Sequence, residues 1–194
     1  IVSRDWSSDV CSSDLIAAAL EIQTQIKIHP QDKVLVVGDG KLGQLVAQTL
    51  SITGCDLFAV GRHDKKLANL RARGIKTGKS EDIQERTFDI AVECTGNAQG
   101  FAMAQKALRP RGTLVLKSTY AGNLSLDASA IVVDEITLIG SRCGRFAPAL
   151  ELLAQEKIDV QPLIDARYSL SQGIAAFERA QIKGTQKVLL NISD

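Results

Sequence analysis

Lys33-Val34-Leu35-Val36-Val37-Gly38-Asp39-Gly40-Lys41-Leu42-Gly43 is the stretch that decides how the rest of the chain is read. Val34–Val37 is a continuous apolar run, which suits a strand buried on both faces. Three glycines follow at GxGxxG spacing. Lys41 to Thr53 then reads as a helix with Leu42, Leu45, Val46 and Leu50 on one side. A strand running through such a turn into a helix gives each glycine a task. Gly38 permits the tight turn, Gly40 leaves the backbone open to a pyrophosphate, and Gly43 lets the helix pack closely on the strand. The first N–H groups of the helix and its positive dipole end would meet the phosphates. The glycine pattern alone is weak; the strand before it and the helix after it make it a dinucleotide signature.

The next strand, Asp56-Leu57-Phe58-Ala59-Val60, ends in Gly61-Arg62-His63. An acid about 20 residues past the turn would hold the adenosine ribose of NAD. Gly61 stands there instead and leaves room for a 2′-phosphate. Arg62 can hydrogen-bond that phosphate with its planar fork, and His63 or Lys66 can add charge. The expectation is NADP in preference to NAD. A domain binding S-adenosylmethionine would also want an acid at this strand end, so Gly61-Arg62 disfavours that rival. A non-catalytic module that senses dinucleotides is a second alternative.

Further outward, strand and helix patterns alternate. Ile16 to Ile28 reads as a helix broken by His29-Pro30-Gln31-Asp32. Asp64 to Arg73 reads as a helix with Asp64 as N-cap and Gly74 as its stop. Phe88–Val92, Thr113–Leu116 and Ile136–Ile139 read as strands. Ala98 to Leu108 reads as a helix ending before Arg109-Pro110-Arg111-Gly112. Ile131-Val132-Val133 with Ile136–Ile139 could form an edge strand, which left uncovered would invite pairing. The alternation predicts an α/β Rossmann fold, a doubly wound parallel sheet with helices on both faces. Residues 16–144 are assigned to it, with 16–30 as leading helix and linker. After Gly140 the texture changes. Ala147 to Lys157 and Ser171 to Lys183 look helical, the latter capped by Ser171; Ala166–Leu170 and Gln186–Asn191 look extended. The segment 145–194 need not join the same sheet.

Composition narrows the partners. Of 194 residues, 45% are hydrophobic and 23% charged, with a net charge of +1, so nothing attracts a polyanion such as nucleic acid. Aromatic content of 4% also argues against base-stacking surfaces. No run approaches the roughly 20 apolar residues of a membrane span. Cys11, Cys55, Cys94 and Cys143 lie far apart with no CxxC pair, which suggests reduced thiols in a cytoplasmic protein. Asp5-Trp6-Ser7-Ser8-Asp9-Val10-Cys11-Ser12-Ser13-Asp14-Leu15 resembles the translation of a common short-read sequencing adapter. Residues 1–15 are therefore expected to be non-native, and the natural protein to be longer at its N-terminus.

Taken in order, several segments resemble the zinc-type medium-chain alcohol dehydrogenase and reductase superfamily over Ile16 to Ile192. They are Asp32–Gly38 with its glycine turn, Asp89-Ile90-Ala91-Val92-Glu93-Cys94-Thr95-Gly96, and Arg111-Gly112 before Thr113–Leu116. Ile139-Gly140-Ser141-Arg142-Cys143-Gly144 and Lys187-Val188-Leu189-Leu190 complete the set. The resemblance implies a hydride transfer between NADP or NAD and a small alcohol or carbonyl substrate. It places the backbones of Lys41 and Leu42 at the pyrophosphate, Cys94, Thr95 and Gly96 near the cofactor riboses, and Ser118 and Thr119 near the nicotinamide. It implies a homodimer or higher homo-oligomer. It also implies a zinc-holding catalytic domain ahead of residue 16, to which 145–194 would return; that domain's zinc ligands are absent here. His29 precedes a proline in a turn, so no catalytic or metal residue is assigned, and the chain alone is expected to be inactive.

Overall fold

Six parallel strands form the main sheet of the computed structural model, which describes residues 6–120, 122–182 and 184–192. They are β1 (Lys33–Val37), β2 (Asp56–Val60), β3 (Lys76–Gly78), β4 (Phe88–Glu93), β5 (Leu108–Leu116) and β6 (Thr137–Gly140). Their spatial order is β3-β2-β1-β4-β5-β6, the doubly wound arrangement. Parallel neighbours need crossovers. Helices α2 (Lys41–Ser51), α3 (Asp64–Arg71), α4 (Ala98–Ala107) and α5 (Ala128–Val133) supply them, and α1 (Trp6–Gln25) precedes β1. After β6 come α6 (Phe146–Ala154), β7 (Ile164–Ser169), α7 (Gly173–Gln181) and β8 (Lys187–Asn191). Strands β7 and β8 pair in parallel in a separate two-stranded sheet.

The alternation within β1 explains its position. Val34 and Val36 pack on one face with Ile16, Ile22, Leu45, Val46 and Leu50 from α1 and α2. Leu35 and Val37 pack on the other with Phe101, Ala104 and Ala107 of α4. All four are buried, each contributing on the order of 1.5–3 kcal/mol of transfer free energy. A strand apolar on both faces can lie only at the centre of a covered sheet.

Several local expectations are corrected. Backbone helix continues without a break through residues 6–15, because no Gly or Pro occurs between Trp6 and His29 and a formed helix extends readily; residues 1–5 lie outside the described residues. Arg109–Gly112 is not a breaker but part of β5. The register against β4 jumps from Phe88↔Leu108 to Ile90↔Thr113, and this bulge takes in Pro110 and the left-handed Arg111 (φ 64°). Ile131–Val133 is helical in α5, nucleated by Asp127, whose carboxylate caps the N–H groups of Ser129 and Ala130. Only β6 forms the sheet's edge on that side. His63, not Asp64, is the N-cap of α3, and Asp64 instead pairs with Lys79 at 2.7 Å. Ser171 is not a cap; Ser169 and Gln172 cap a short 3-10 turn at 170–172 before α7 begins. Strand β3 is short and was not anticipated.

Candidate functional site

Because the chain leaves β1 toward β2 and β3 and later returns to β4 on the other side, a crevice opens at the carboxyl ends of β1 and β4. A cleft of about 750 Å³ lies there, lined by Val37–Gly40, Gly61–His63, Lys66, Cys94 and Thr95, with Thr185 also reaching its wall. The three glycines of the turn are glycine for three different reasons. Gly38 has φ +119°, and a Cβ there would stand 3.1 Å from Thr95 Cγ2 and 3.2 Å from the Cys94 carbonyl carbon. Gly43 lies against β1 so closely that a Cβ would stand 2.9 Å from the Gly38 carbonyl carbon and overlap its oxygen. Gly40 is constrained by neither cause. Its backbone is extended (φ −71°, ψ 178°), and a Cβ there would meet no atom within 4 Å. No side chain caps the start of α2, so its first-turn N–H groups, from Lys41, Leu42 and Gly43, keep their donor capacity for a ligand.

The end of β2 departs from expectation. The space beside Gly61 is not open: a Cβ there would stand 2.6 Å from Asp39 Cγ. Asp39, from the glycine turn, lays its carboxylate over Gly61 and is only 8% exposed. Its Oδ2 accepts the His63 backbone N–H at 2.7 Å and lies 3.0 Å from His63 Nδ1. Burial pushes the Asp39 carboxyl up, but the His63 N–H, the His63 ring and the Arg62 N–H outweigh it and hold the group below the usual carboxylate range. A carboxylate can only accept, so His63 Nδ1 must carry a proton, which leaves Nε2 turned away from Asp39. Arg62 lines the same cleft. Lys79 donates to the Arg62 carbonyl at 3.0 Å and braces this loop.

At the end of β4 the structure brings Cys94, Thr95 and Gly96 against Gly38 on one side and against Ser118 and Thr119 on the other. Gly96 (φ +68°) sits where a Cβ would stand 2.6 Å from the Thr119 carbonyl oxygen. Ser118 and Thr119 follow β5 but do not line the cleft described above. The hub of this region is Glu93, fully buried. Its carboxylate accepts the Thr95 N–H at 2.5 Å, the Thr95 hydroxyl, the Gly96 N–H at 3.1 Å and the Tyr120 hydroxyl at 2.6 Å. Burial and then Glu93 push the Tyr120 hydroxyl well up. Burial and Glu93 likewise push the Cys94 thiol far above its usual range, with Lys117 opposing, so Cys94 is not a thiolate nucleophile. Lys117 is itself buried and donates to Ser141 Oγ at 3.0 Å and the Arg142 carbonyl at 2.5 Å; burial lowers its pKa.

Asp39, Glu93, Lys117 and Tyr120 were not singled out from the sequence. Glu93 and Lys117 carry a signal, since each is a charged residue directly after an apolar run, Ile90–Val92 and Leu114–Leu116. Asp39 carries none. Among the described residues no group of three or more His, Cys, Asp or Glu could hold a metal ion.

The sheet order, the turn and the cleft define a Rossmann-type dinucleotide fold. Residues 42–155 match the family described as zinc-binding dehydrogenase, and the chain belongs to that family. It is 26% identical over 178 residues to a putative D-xylulose reductase of Agrobacterium fabrum, covering 84% of this chain and 51% of that one. It is 26% identical to the uncharacterized zinc-type alcohol dehydrogenase-like protein YdjL of Escherichia coli, covering 96% and 57%. Among solved structures, L-idonate 5-dehydrogenase of Escherichia coli superimposes with a TM-score of 0.86 at 21% identity, covering 99% of this chain and 59% of that one. A putative zinc-binding dehydrogenase of Sinorhizobium meliloti bound to NADP superimposes with a TM-score of 0.85 at 19% identity, covering 95% and 59%. The chain spans about half the length of the curated relatives it matches.

Proposed function

We propose that this chain is the dinucleotide-binding half of an oxidoreductase whose whole form transfers a hydride between NAD(P) and an alcohol or carbonyl substrate. One observation carries the assignment: nothing in the fold requires Gly40 to be glycine, yet its missing side chain opens the start of α2. That opening suits a pyrophosphate lying on helix N–H groups. In this arrangement the Gly40–Gly43 backbone holds the diphosphate and Gly61, Arg62 and His63 flank the adenosine ribose. Cys94, Thr95 and Gly96 border the riboses, and Ser118 and Thr119 stand toward the nicotinamide end. When bound, the cofactor supplies the hydride chemistry; the protein orients it and shields it from water. Among the described residues no cluster of metal-ligating side chains fits a catalytic zinc site, and the chain alone is inactive in this reading. Arg62 is the group suited to the 2′-phosphate of NADP.

The proposed assignment of 145–194 to a second, incomplete domain is supported by exposed apolar side chains on its helices. Ile174 is 80% and Phe177 69% exposed on α7, and Phe146 and Leu150 are exposed on α6. The open edge strand β6, beside exposed Val132 and Val133, suits a homodimer. Among the described residues no helix is long and apolar enough to cross a membrane, and Cys55, Cys94 and Cys143 are free thiols; both fit a cytoplasmic protein.

The test is thermal unfolding with and without NAD, NADP and S-adenosylmethionine. Cofactor at one hundred times its Kd stabilises by about 2.7 kcal/mol, which for a chain of this size raises Tm by roughly 5–10 °C. Gly40→Asn keeps the unliganded Tm, because Asn is a good N-cap, and abolishes the shift, because its side chain takes the N–H groups and the space. A shift with S-adenosylmethionine alone, or an undiminished shift in Gly40→Asn, overturns the assignment.

A further inference from the structure

We infer that the 2′ position of the adenosine ribose is read by two opposed groups, Arg62 favouring a phosphate and Asp39, braced by His63, favouring a hydroxyl, so that Asp39 is the selecting acid absent from the end of β2. The inference rests on the dinucleotide assignment above and deepens it.

The strand end normally supplies the acid because its last side chain reaches the ribose. Here Gly61 occupies that place, and a carboxylate occupies the space anyway, delivered from the turn 22 residues earlier in the chain (61 − 39). The two positions exclude each other: a side chain at Gly61 would collide with Asp39 Cγ at 2.6 Å. The acid has therefore been moved, not lost. Asp39 lines the cleft yet is 8% exposed, so its charge is screened by few waters. Oδ2 is committed to the His63 N–H, while Oδ1 lies 3.1 Å from His63 Nδ1 and has lone-pair capacity for a ribose hydroxyl. A 2′-phosphate brought beside it meets a fixed negative charge. Arg62, lining the same cleft, pulls the other way: no carboxylate pairs with its guanidinium among the described residues. With attraction and repulsion both built in, the chain accepts either cofactor, and each single substitution tips the balance in a known direction.

Titration calorimetry of the 194-residue chain with NAD and NADP tests this. Wild type binds both with Kd values within about tenfold of each other; Asp39→Asn raises the NADP-to-NAD affinity ratio at least about tenfold and Arg62→Gln lowers it about fivefold or more. Asn keeps an acceptor for the His63 N–H, so the loop is retained. A double variant, Asp39→Gly with Gly61→Asp, returns the acid to the strand end and keeps NAD binding with NADP disfavoured. If Asp39→Asn weakens both cofactors by the same factor, Asp39 only holds the loop and the inference fails while the dinucleotide assignment stands. If wild type binds neither cofactor, the assignment itself fails, and the inference with it.

Discussion

Removing the Glu93 carboxylate is the sharpest structural test of the cleft wall. Glu93 is fully buried and gathers four donors: the N–H and hydroxyl of Thr95, the N–H of Gly96 and the hydroxyl of Tyr120. Gly100, in the first turn of α4, approaches so closely that a Cβ there would stand 2.9 Å from Glu93 Oε1. In Glu93→Ala the Thr95 hydroxyl can turn to solvent, but two backbone N–H groups and the Tyr120 hydroxyl lose their acceptor. At the low end of about 1 kcal/mol for each orphaned donor, plus about 1 kcal/mol for the cavity, the loss is about 4 kcal/mol. That corresponds to a fall in Tm of roughly 8–16 °C for a chain of this length. Glu93→Gln keeps one oxygen for the two N–H groups and offers an amide N–H to Tyr120, whose hydroxyl can rotate to accept it. The cost is then about 1 kcal/mol, or roughly 2–4 °C. Circular-dichroism melts of the three proteins measure this directly. If Glu93→Ala melts within about 2 °C of wild type, the donors find other acceptors and the hub has no structural role. If Glu93→Gln is as damaging as Glu93→Ala, charge and not acceptor count holds the loop.

Two further outcomes follow from the same geometry. Asp39 and Asp89 are both held below the usual carboxylate range: burial opposes this, but the His63 groups prevail at Asp39, and the Lys33 N–H and Arg109 prevail at Asp89. A carboxylate whose folded pKa is depressed adds stability above its unfolded value of about 3.9, and that stability is lost as pH falls through the folded value. Tm is therefore level from pH 7 to about 5 and declines below about pH 4, and Asp39→Asn with Asp89→Asn makes that decline shallower; an unchanged slope refutes the assignment. If the whole protein forms the proposed homodimer along β6, Leu138→Lys, which puts charge beside the open edge, separates it into monomers. Sedimentation of the unaltered whole protein as a monomer would count against pairing there.

Much of the fold was legible because its signals are local. Val34–Val37 announces a central strand by being apolar at every position, and β2 is bounded on both sides as its composition suggests. Boundaries failed where a tertiary contact overrode the local cue. Pro110 and Gly112 look like a break, yet the bulge against β4 keeps them within β5. Ile131–Val133 is β-branched and looks extended, but the Asp127 cap starts a helix first. Residues 6–15 look unlike a helix, but they lie ahead of Ile16-Ala17-Ala18-Ala19-Leu20 with no breaker between.

The site was legible in proportion to how much of it is backbone. The glycine turn could be read because each of its requirements, a left-handed φ, an open approach and a close packing, is met by the same absence of a side chain. The polar groups could not, because a side chain's partner depends on closure of the fold. Asp39 occupies a position that the GxGxxG pattern leaves free, and its partner His63 is 24 residues away on another strand's end. Gly61 therefore reads in the sequence as empty space, whereas its missing side chain is what admits the Asp39 carboxylate. A glycine at a ligand site can thus mean room for the ligand or room for a neighbour, and the atoms its absent Cβ would meet separate the two. Gly40, with nothing within 4 Å, fits the first kind as proposed above; Gly61, with Asp39 against it, belongs to the second. In the reading proposed above, cofactor choice turns on Asp39, which fills the space beside Gly61, as much as on Arg62.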